Sequence, residues 1–568
     1  MLTNTAQLTA HELELLKVFS SDFDFRIPEY QRPYSWRPEH ALQLLDDLGE
    51  ALEQSEDEPY FLGSVVLVKR PESADSDVID GQQRLTTLTI LLSVLRDLST
   101  EDEVRAELAI MVREPGSKVQ GLEAKPRLAL RERDADFFKE FVQEPGGTTK
   151  LLGINENHLT HDSLRSIVDN TRSLTTMLKS DKWPEDRRFR LIQLLSKRTL
   201  LVVVTTSDLD SAYRIFSVMN ARGLDLSPSD IFKSQVVGAL SDADRKTYAD
   251  KWEDIEAALG RQDFGDLFAH VRMIYAKQRA QADILKEFPK QVLNTYTNSG
   301  RAAEFVDDVL VPYADAYQQL RGASFTAASG ADTVNDWLRR LNRVGNTDWR
   351  PVALWALRAK WDDPSWLASF LQQLERIAAS MLLRRVYATP RALKYAEILR
   401  DVDEKGLGLS APSLQLSASE IKATRAALDG DVYLHTQGRR FILLRVDEVL
   451  ANSPGVTYDN KVITVEHVLP QNPASKSKWH KSFSDDERSE WTHRLANLVL
   501  LNRTKNSEAQ NYDFDVKKAK YFVGKKGVST FALTSQVLSA DKWNPRTLEG
   551  RQKSLLSAIF EEWGLGAV

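Results

Sequence analysis

The chain has 568 residues, 42% of them hydrophobic and 27% charged, with a net charge of −6 and no cysteine. This excludes disulfide scaffolds, thiolate zinc sites, a cysteine nucleophile and a uniformly basic nucleic-acid coat, and leaves room for several ordinary domains. No apolar run approaches the roughly 18 residues that cross a bilayer, and the start, MLTNTAQLTAHELELL, lacks the basic-then-apolar pattern of a signal peptide, so a cytoplasmic protein without a membrane partner is expected.

In chain order, apolar residues at three- and four-residue spacing predict helices over 8–19 and 39–54. YFLGSVVLVK (60–69) and SDVID (76–80) read as strands. Gly81 then turns the chain into a helix running through Leu85–Leu92. TLLVVVT (199–205) is a further buried strand, followed by a helix over 209–220 and another that starts at Ser227-Pro228-Ser229-Asp230, with a capping residue and Pro in the first turn. Residues 1–240 are therefore expected to form an α/β domain with a helical insertion near 100–195. Residues 241–420 carry long amphipathic patterns without convincing strands and predict a helical middle domain. Gly, Ser and Pro concentrate at 406–417, which reads as a linker or surface loop, and residues 421–568 form the last domain. The expected fold class is multidomain α+β, predominantly helical.

Asp80-Gly81-Gln82-Gln83-Arg84 lies between a strand and a helix. Gly permits the tight turn, free N–H groups at the helix start favour an anion, Arg84 can clamp a phosphate, and Asp80 can hold a cation or polarise water. No phosphate loop of the form G-x-x-x-x-G-K-[ST] is present. By spacing alone this is a weak signal, since such turns are mostly only turns. Tyr30, Tyr34 and Trp36 sit close to Arg32 and Arg37. They either stack a nucleotide base or an unpaired base, or form the core of the small domain, with Pro28 and Pro33 shaping the loop.

Towards the end, Val465-Glu466-His467-Val468-Leu469-Pro470-Gln471 is followed by Leu495-Ala496-Asn497-Leu498 and Asn506. A neutral imidazole at His467 can take a proton from water, and Glu466 and Asn506 offer hard oxygen ligands to Mg²⁺ or Mn²⁺. The nine-residue step from Asn497 to Asn506 fits a core in which the first Asn braces the metal loop and the second reaches the ion. Between Leu501 and Thr530 seven basic residues face three acidic ones. Arg503, Lys505, Lys517 and Lys518 are thus candidates for DNA backbone contact, or else a solvated helix face.

The Glu-His…Asn…Asn order resembles the ββα-metal (HNH, or His-Me finger) nuclease core. The Phe514-x-x-Lys517-Lys518-x-x-Tyr521 pattern extends the resemblance to the nuclease domain of GmrSD-type, modification-dependent (type IV) restriction enzymes. FRIPEYQRPYSW (25–36), DGQQRLT (80–86) and Ile215-Phe216-x-x-Met219-Asn220-x-Arg222-Gly223 together resemble the ParB/sulfiredoxin-like N-terminal domain of the same family. The resemblance extends to the phosphorothioate-sensing enzyme SspE, with its similar aromatic-rich block, and the related BrxU, and makes Tyr30, Tyr34 and Trp36 candidates for sensing a DNA modification. It implies catalytic roles for His467, Glu466, Asn497 and Asn506. It also implies a nucleoside triphosphate site (GTP, ATP or UTP) lined by Asp80, Gly81, Gln82, Gln83 and Arg84, with Arg32, Asn220 and Arg222 nearby. The implied partner is double-stranded, modified phage DNA, and a homodimer would suit double-strand cleavage.

One departure is the 30-residue step from His467 to Asn497, which requires an insertion over roughly 472–492. His480 and His493 read there as surface residues or backbone-phosphate contacts. Ala496 stands where the family often has Gly. The alternatives are a ParB-like DNA- or nucleotide-binding regulator with an inactive nuclease end, and an RNase of abortive defence, the latter because a metal site attacks phosphodiesters without reading the sugar.

Overall fold

The structure is a computed structural model, and it describes residues 8–53, 58–71, 73–119, 121, 123–155, 159, 161–207, 212, 228–451, 463–502, 511–522 and 531–568. The chain forms two compact units, residues 1–253 and 254–568.

The first unit is built on a six-stranded mixed sheet. Its strands are β1 (Thr9–Glu14), β2 (Asp24–Arg26), β3 (Tyr60–Lys69), β4 (Asp75–Asp80), β5 (Leu128–Ala129) and β6 (Thr199–Thr206), in the spatial order β1-β6-β3-β4-β2-β5. β3 runs parallel to β6 and antiparallel to β4. β1 departs from the helix expected over 8–19. It lies antiparallel to β6, with Thr9 opposite Thr205 and Glu14 opposite Leu200, and only Leu15–Val18 turn into helix. The two threonine hydroxyls meet at 2.6 Å across 196 residues of sequence. A pairing that remote overrides a short, ambiguous local periodicity.

The helix Gln82–Leu98 that follows β4 is buried at every residue from Leu85 to Arg96, as expected of a helix at the centre of a unit rather than on its surface. Its threonines satisfy their hydroxyls on the preceding turn: Thr87 donates to the Gln83 carbonyl at 2.8 Å and Thr89 to the Leu85 carbonyl at 2.9 Å. Arg96, fully enclosed, pairs with Asp97 and donates to the carbonyls of Val142, Gln143 and Glu144. Those bonds fasten the largely helical segment 102–197 to the core, and β5 within that segment extends the sheet.

The second unit is helical from residue 254 to 451 among the described residues. The 406–417 stretch is a surface loop rather than a linker, with Gly406, Leu407 and Ser410 exposed. It forms two short 3₁₀ turns, Gly408–Ser410 and Pro412–Leu414, with Ala411, Ser413 and Leu414 buried. Its Gly, Ser and Pro residues serve tight packed turns. A buried ion network joins four helices: Arg445 reaches Glu375 at 3.0 Å, Glu448 at 3.3 Å and Glu562 at 2.6 Å, and Arg340 reaches Glu448 at 2.8 Å. The closing helix Pro545–Glu562 is thereby locked onto the helices Pro364–Leu383 and Arg439–Ala451. Beside this frame β7 (Ile463–His467) pairs antiparallel with β8 (Leu498–Asn502). The segment between them packs: Trp479, Phe483 and Trp491 are buried with Val499, Trp543 and Leu548 in one cluster.

Candidate functional site

His467 ends β7, directly opposite Leu498 of β8, and is only 5% exposed. The loop after it is held by Asn497, which is fully buried. The Leu469 N–H donates to Asn497 Oδ1 at 2.7 Å, and Asn497 Nδ2 donates to the carbonyls of Leu469 and Thr492, both at 2.9 Å. Trp543 Nε1 adds a bond to the same Oδ1 at 3.2 Å. All of this amide's hydrogen-bonding capacity is thus spent on the backbone around His467, apart from the one indole.

Around the imidazole stand Tyr433, whose ring centre is 4.0 Å away, and His493, whose Nδ1 lies 3.4 Å from His467 Nε2. Burial, then His493, Lys517 and Arg439, pushes the His467 pKa down to about 3, so the ring is neutral near pH 7. Glu466 precedes it with a partly exposed carboxylate. Lys517 Nζ lies 3.3 Å from Glu466 Oε1 and donates to the His467 carbonyl at 2.6 Å.

In the first unit, Gly81 adopts a left-handed conformation (φ 92°), and a Cβ there would come within 2.5 Å of Val65 Cγ1. Only glycine suits that turn. Asp80 ends β4 and is mostly enclosed. Burial raises its pKa, against the Gly81 N–H and the charges of Arg84 and Arg32. The Arg84 guanidinium lies over Gly63, where a Cβ would stand 3.0 Å from Cζ, and Nη1 donates to the Ser64 carbonyl at 2.8 Å. Gly63 has φ 122° beside a register shift in β3, so the strand itself is cut away to seat the arginine. Arg84 also lines an open cleft of about 420 Å³ with Trp36, His40, Glu39, Asp47 and Tyr60. Trp36 stacks on His40 at 5.9 Å.

The two N-terminal motifs form one structure. Gln31 donates to the Ile79 carbonyl at 3.1 Å, and Gln83 Oε1 accepts from the N–H groups of Ser35 at 2.8 Å and Trp36 at 3.1 Å. Gln83 Nε2 donates back to the Pro33 carbonyl at 3.0 Å.

A family model for the N-terminal domain of the GmrSD restriction endonuclease matches residues 15–237, and one for the C-terminal domain of these enzymes matches residues 419–558. The chain belongs to the GmrSD restriction endonuclease family. No curated protein matches it. A GmrSD-type chain is a nuclease of the type IV restriction class with DNA as its substrate, and among the described residues no helix is long and apolar enough to cross a membrane.

The GmrSD site residues expected from sequence divide into three groups. Asn220, Arg222, Arg503, Lys505 and Asn506 lie outside the described residues. Asp80, Gly81, Arg84 and Arg32 gather at one turn, and His467, Glu466 and Asn497 at one strand end. Gln82 and Gln83 line a small pocket with Arg32, and the rest point elsewhere. Lys517 is not an exposed phosphate contact, since its side chain is fully buried and its ammonium faces Glu466 and a backbone carbonyl. Lys518 donates to the Ala540 carbonyl at 2.8 Å. Gln83 directs both ends of its amide at the 33–36 loop, and Gln82 is buried. Tyr34 is core: its hydroxyl meets Thr87 Oγ1 and Asn170 Nδ2, both at 2.8 Å. Tyr30 is buried among Val66, Ile79 and Val204. Only Trp36 of the three aromatics opens onto a cleft. His480 is exposed, as expected, whereas His493 adjoins His467.

Sequence reasoning missed Tyr433, Arg439, Gly63 and the role of His493. Tyr433 and His493 lie 34 and 26 residues from His467, with nothing in their local pattern to join them. The register shift that gives Gly63 its purpose belongs to the sheet, not to the strand's own residues.

Proposed function

We propose that this GmrSD-family chain is a phage-defence endonuclease that cuts modified foreign DNA by divalent-metal-dependent phosphodiester hydrolysis at His467. Its N-terminal domain binds and hydrolyses a nucleoside triphosphate to regulate the cut. The observation that carries the reading is a neutral, enclosed imidazole at a strand end, with a carboxylate beside it and a buried Asn fixing the following loop. A neutral imidazole accepts the proton of an attacking water.

The donor types suit a hard cation. Glu466 presents a partly exposed carboxylate, and the Lys517 ammonium already lies against it as a positive charge would. Mg²⁺ is typically held by one or two protein oxygens plus water and phosphate, so a single partly exposed carboxylate beside the base suits it. When bound, the metal would carry charge on the phosphate oxygens, with Glu466 and Asn506 as its protein ligands. The chain's own groups orient water, hold the loop and accept the proton at His467.

For the nucleotide, the support is a carboxylate between two arginines at a glycine turn opening a helix. Incubating the purified chain with double-stranded DNA and with RNA tests the reading, with Mg²⁺ or chelator and with or without GTP, ATP or UTP. Metal-dependent DNA cleavage, lost in His467→Ala, supports it. Cleavage in excess chelator, or of RNA alone, removes it.

A further inference from the structure

We propose that His493 is a positioning residue for the reaction. It accepts a hydrogen bond from the Nε2–H of His467 and so leaves Nδ1 of His467 as the nitrogen that takes the proton. The inference rests on the hydrolytic reading of His467 given above and adds which nitrogen acts and what fixes it.

The two ring nitrogens of His467 face different surroundings. Nε2 points at His493 Nδ1, 3.4 Å away, and Nδ1 faces the side-chain amide nitrogen of Gln471, also at 3.4 Å. An amide nitrogen only donates, so Nδ1 presents a lone pair there. The proton of the neutral ring is then on Nε2, and His493 Nδ1 must accept it. Gln471 is exposed and His493 is half-buried. Nδ1 thus lies on the side of the exposed Gln471, and Nε2 on the side of the half-buried His493.

The two rings are also held from a third side. Tyr433 stacks on His493 with 15° between planes and ring centres 5.5 Å apart, and stands 4.0 Å from His467. The Tyr433 N–H donates to the His493 carbonyl at 3.1 Å, and the Arg439 guanidinium covers the Tyr433 ring at 4.4 Å. An orienting partner on the far nitrogen of a base histidine sets its tautomer, and losing such a partner lowers turnover while leaving binding intact.

The test uses the full-length chain on double-stranded DNA with Mg²⁺ or Mn²⁺. His493→Asn places a carbonyl oxygen where Nδ1 stood and keeps the acceptor. His493→Phe keeps a ring against Tyr433 and removes the acceptor. The expected result is a loss of about 10²-fold in kcat for the Phe variant at little-changed KM, with at least about tenfold recovered by Asn. Wild-type turnover in His493→Phe overturns the inference. So does an Asn variant as impaired as Phe when both melt like wild type. If the Phe variant melts early, the comparison of Asn with Ala carries the same two outcomes. His467→Ala separates the levels: if it cuts normally, the hydrolytic reading itself falls. If it is inactive while His493→Phe cuts fully, only the role of His493 falls.

Discussion

At the scale of single residues, both sites depend on side chains whose polar atoms are already committed. His467 gives the most direct prediction. Its imidazole is enclosed and neutral, so its ring carries a free lone pair at pH 7 and contributes no charge to DNA binding. His467→Ala should cut DNA about 10²–10⁴-fold more slowly, with nucleotide hydrolysis unchanged. Parallel cleavage and hydrolysis assays on one preparation check this, and an undiminished cleavage rate would falsify the base assignment. Gly63 makes the complementary prediction for the first unit. Gly63→Ala puts a methyl group into the seat of the Arg84 guanidinium on a strained backbone. Nucleotide hydrolysis should fall as it does in Arg84→Ala, without loss of the His467 chemistry. Normal hydrolysis in the alanine variant would show that the position of Arg84 does not matter.

At the scale of elements, the decisive bonds are those that tie separate segments together. Asn497→Ala would strip partners from the Leu469 N–H, two backbone carbonyls and the Trp543 indole at once. Each buried group left unsatisfied costs about 1–3 kcal/mol, so a loss of several kcal/mol is expected. Urea unfolding followed by tryptophan emission measures it, and a change under about 1 kcal/mol would mean that water replaces the amide.

The helix Arg261–Ala276 offers a pH prediction. His270 is half-buried and stacks on Tyr317, and desolvation of its ring, then the nearby Arg350, holds its pKa down to about 3. The unfolded chain binds this proton below about pH 6.5 and the folded chain does not, so the neutral ring's contribution is complete above that pH and is lost as pH falls towards 3. His270→Gln removes the term. The stability gap between wild type and variant should therefore shrink from pH 7 to pH 4, and a constant gap would contradict the depressed pKa.

These elements also show what a sequence discloses. β3, β6 and the helix after Gly81 are legible because each is a long, largely apolar run, and β4 because the short SDVID segment stops at the Gly81 turn. β1 is not, because its only reason to extend is a partner strand at the other end of the unit. The Glu-His…Asn order names the base and the residue that braces its loop. Tyr433 and His493 remain hidden because only the pairing of β7 with β8 and the packing of the intervening segment bring them near. Lys517 is misleading for the opposite reason: a lysine on a basic helix reads as surface until its helix is seen to face the strand end.

At the scale of the whole molecule, the question is whether events at Asp80 and Arg84 govern cutting at His467. Coupling of this kind requires that nucleotide bind two states of the protein with different affinity. Asp80→Asn and Arg84→Ala should abolish triphosphate hydrolysis, because the first removes the enclosed carboxylate and the second the clamp over Gly63. Both variants should retain metal-dependent cleavage under conditions where wild type cuts without nucleotide, yet lose the response to added triphosphate. Trp36 adds a finer test, since it is the one aromatic of its loop that faces the cleft beside Arg84. Base stacking is worth roughly 1–3 kcal/mol, so Trp36→Ala should raise the nucleotide concentration needed by about tenfold or more if the base stacks there. If the tryptophan instead reads DNA, the nucleotide requirement stays and plaque counts shift between phages with plain, hydroxymethylated, glucosylated and phosphorothioated DNA. A Trp36→Ala protein that melts early and loses protection against all phages equally would assign the ring to the core with Tyr30 and Tyr34, leaving Tyr60 as the aromatic that lines the cleft.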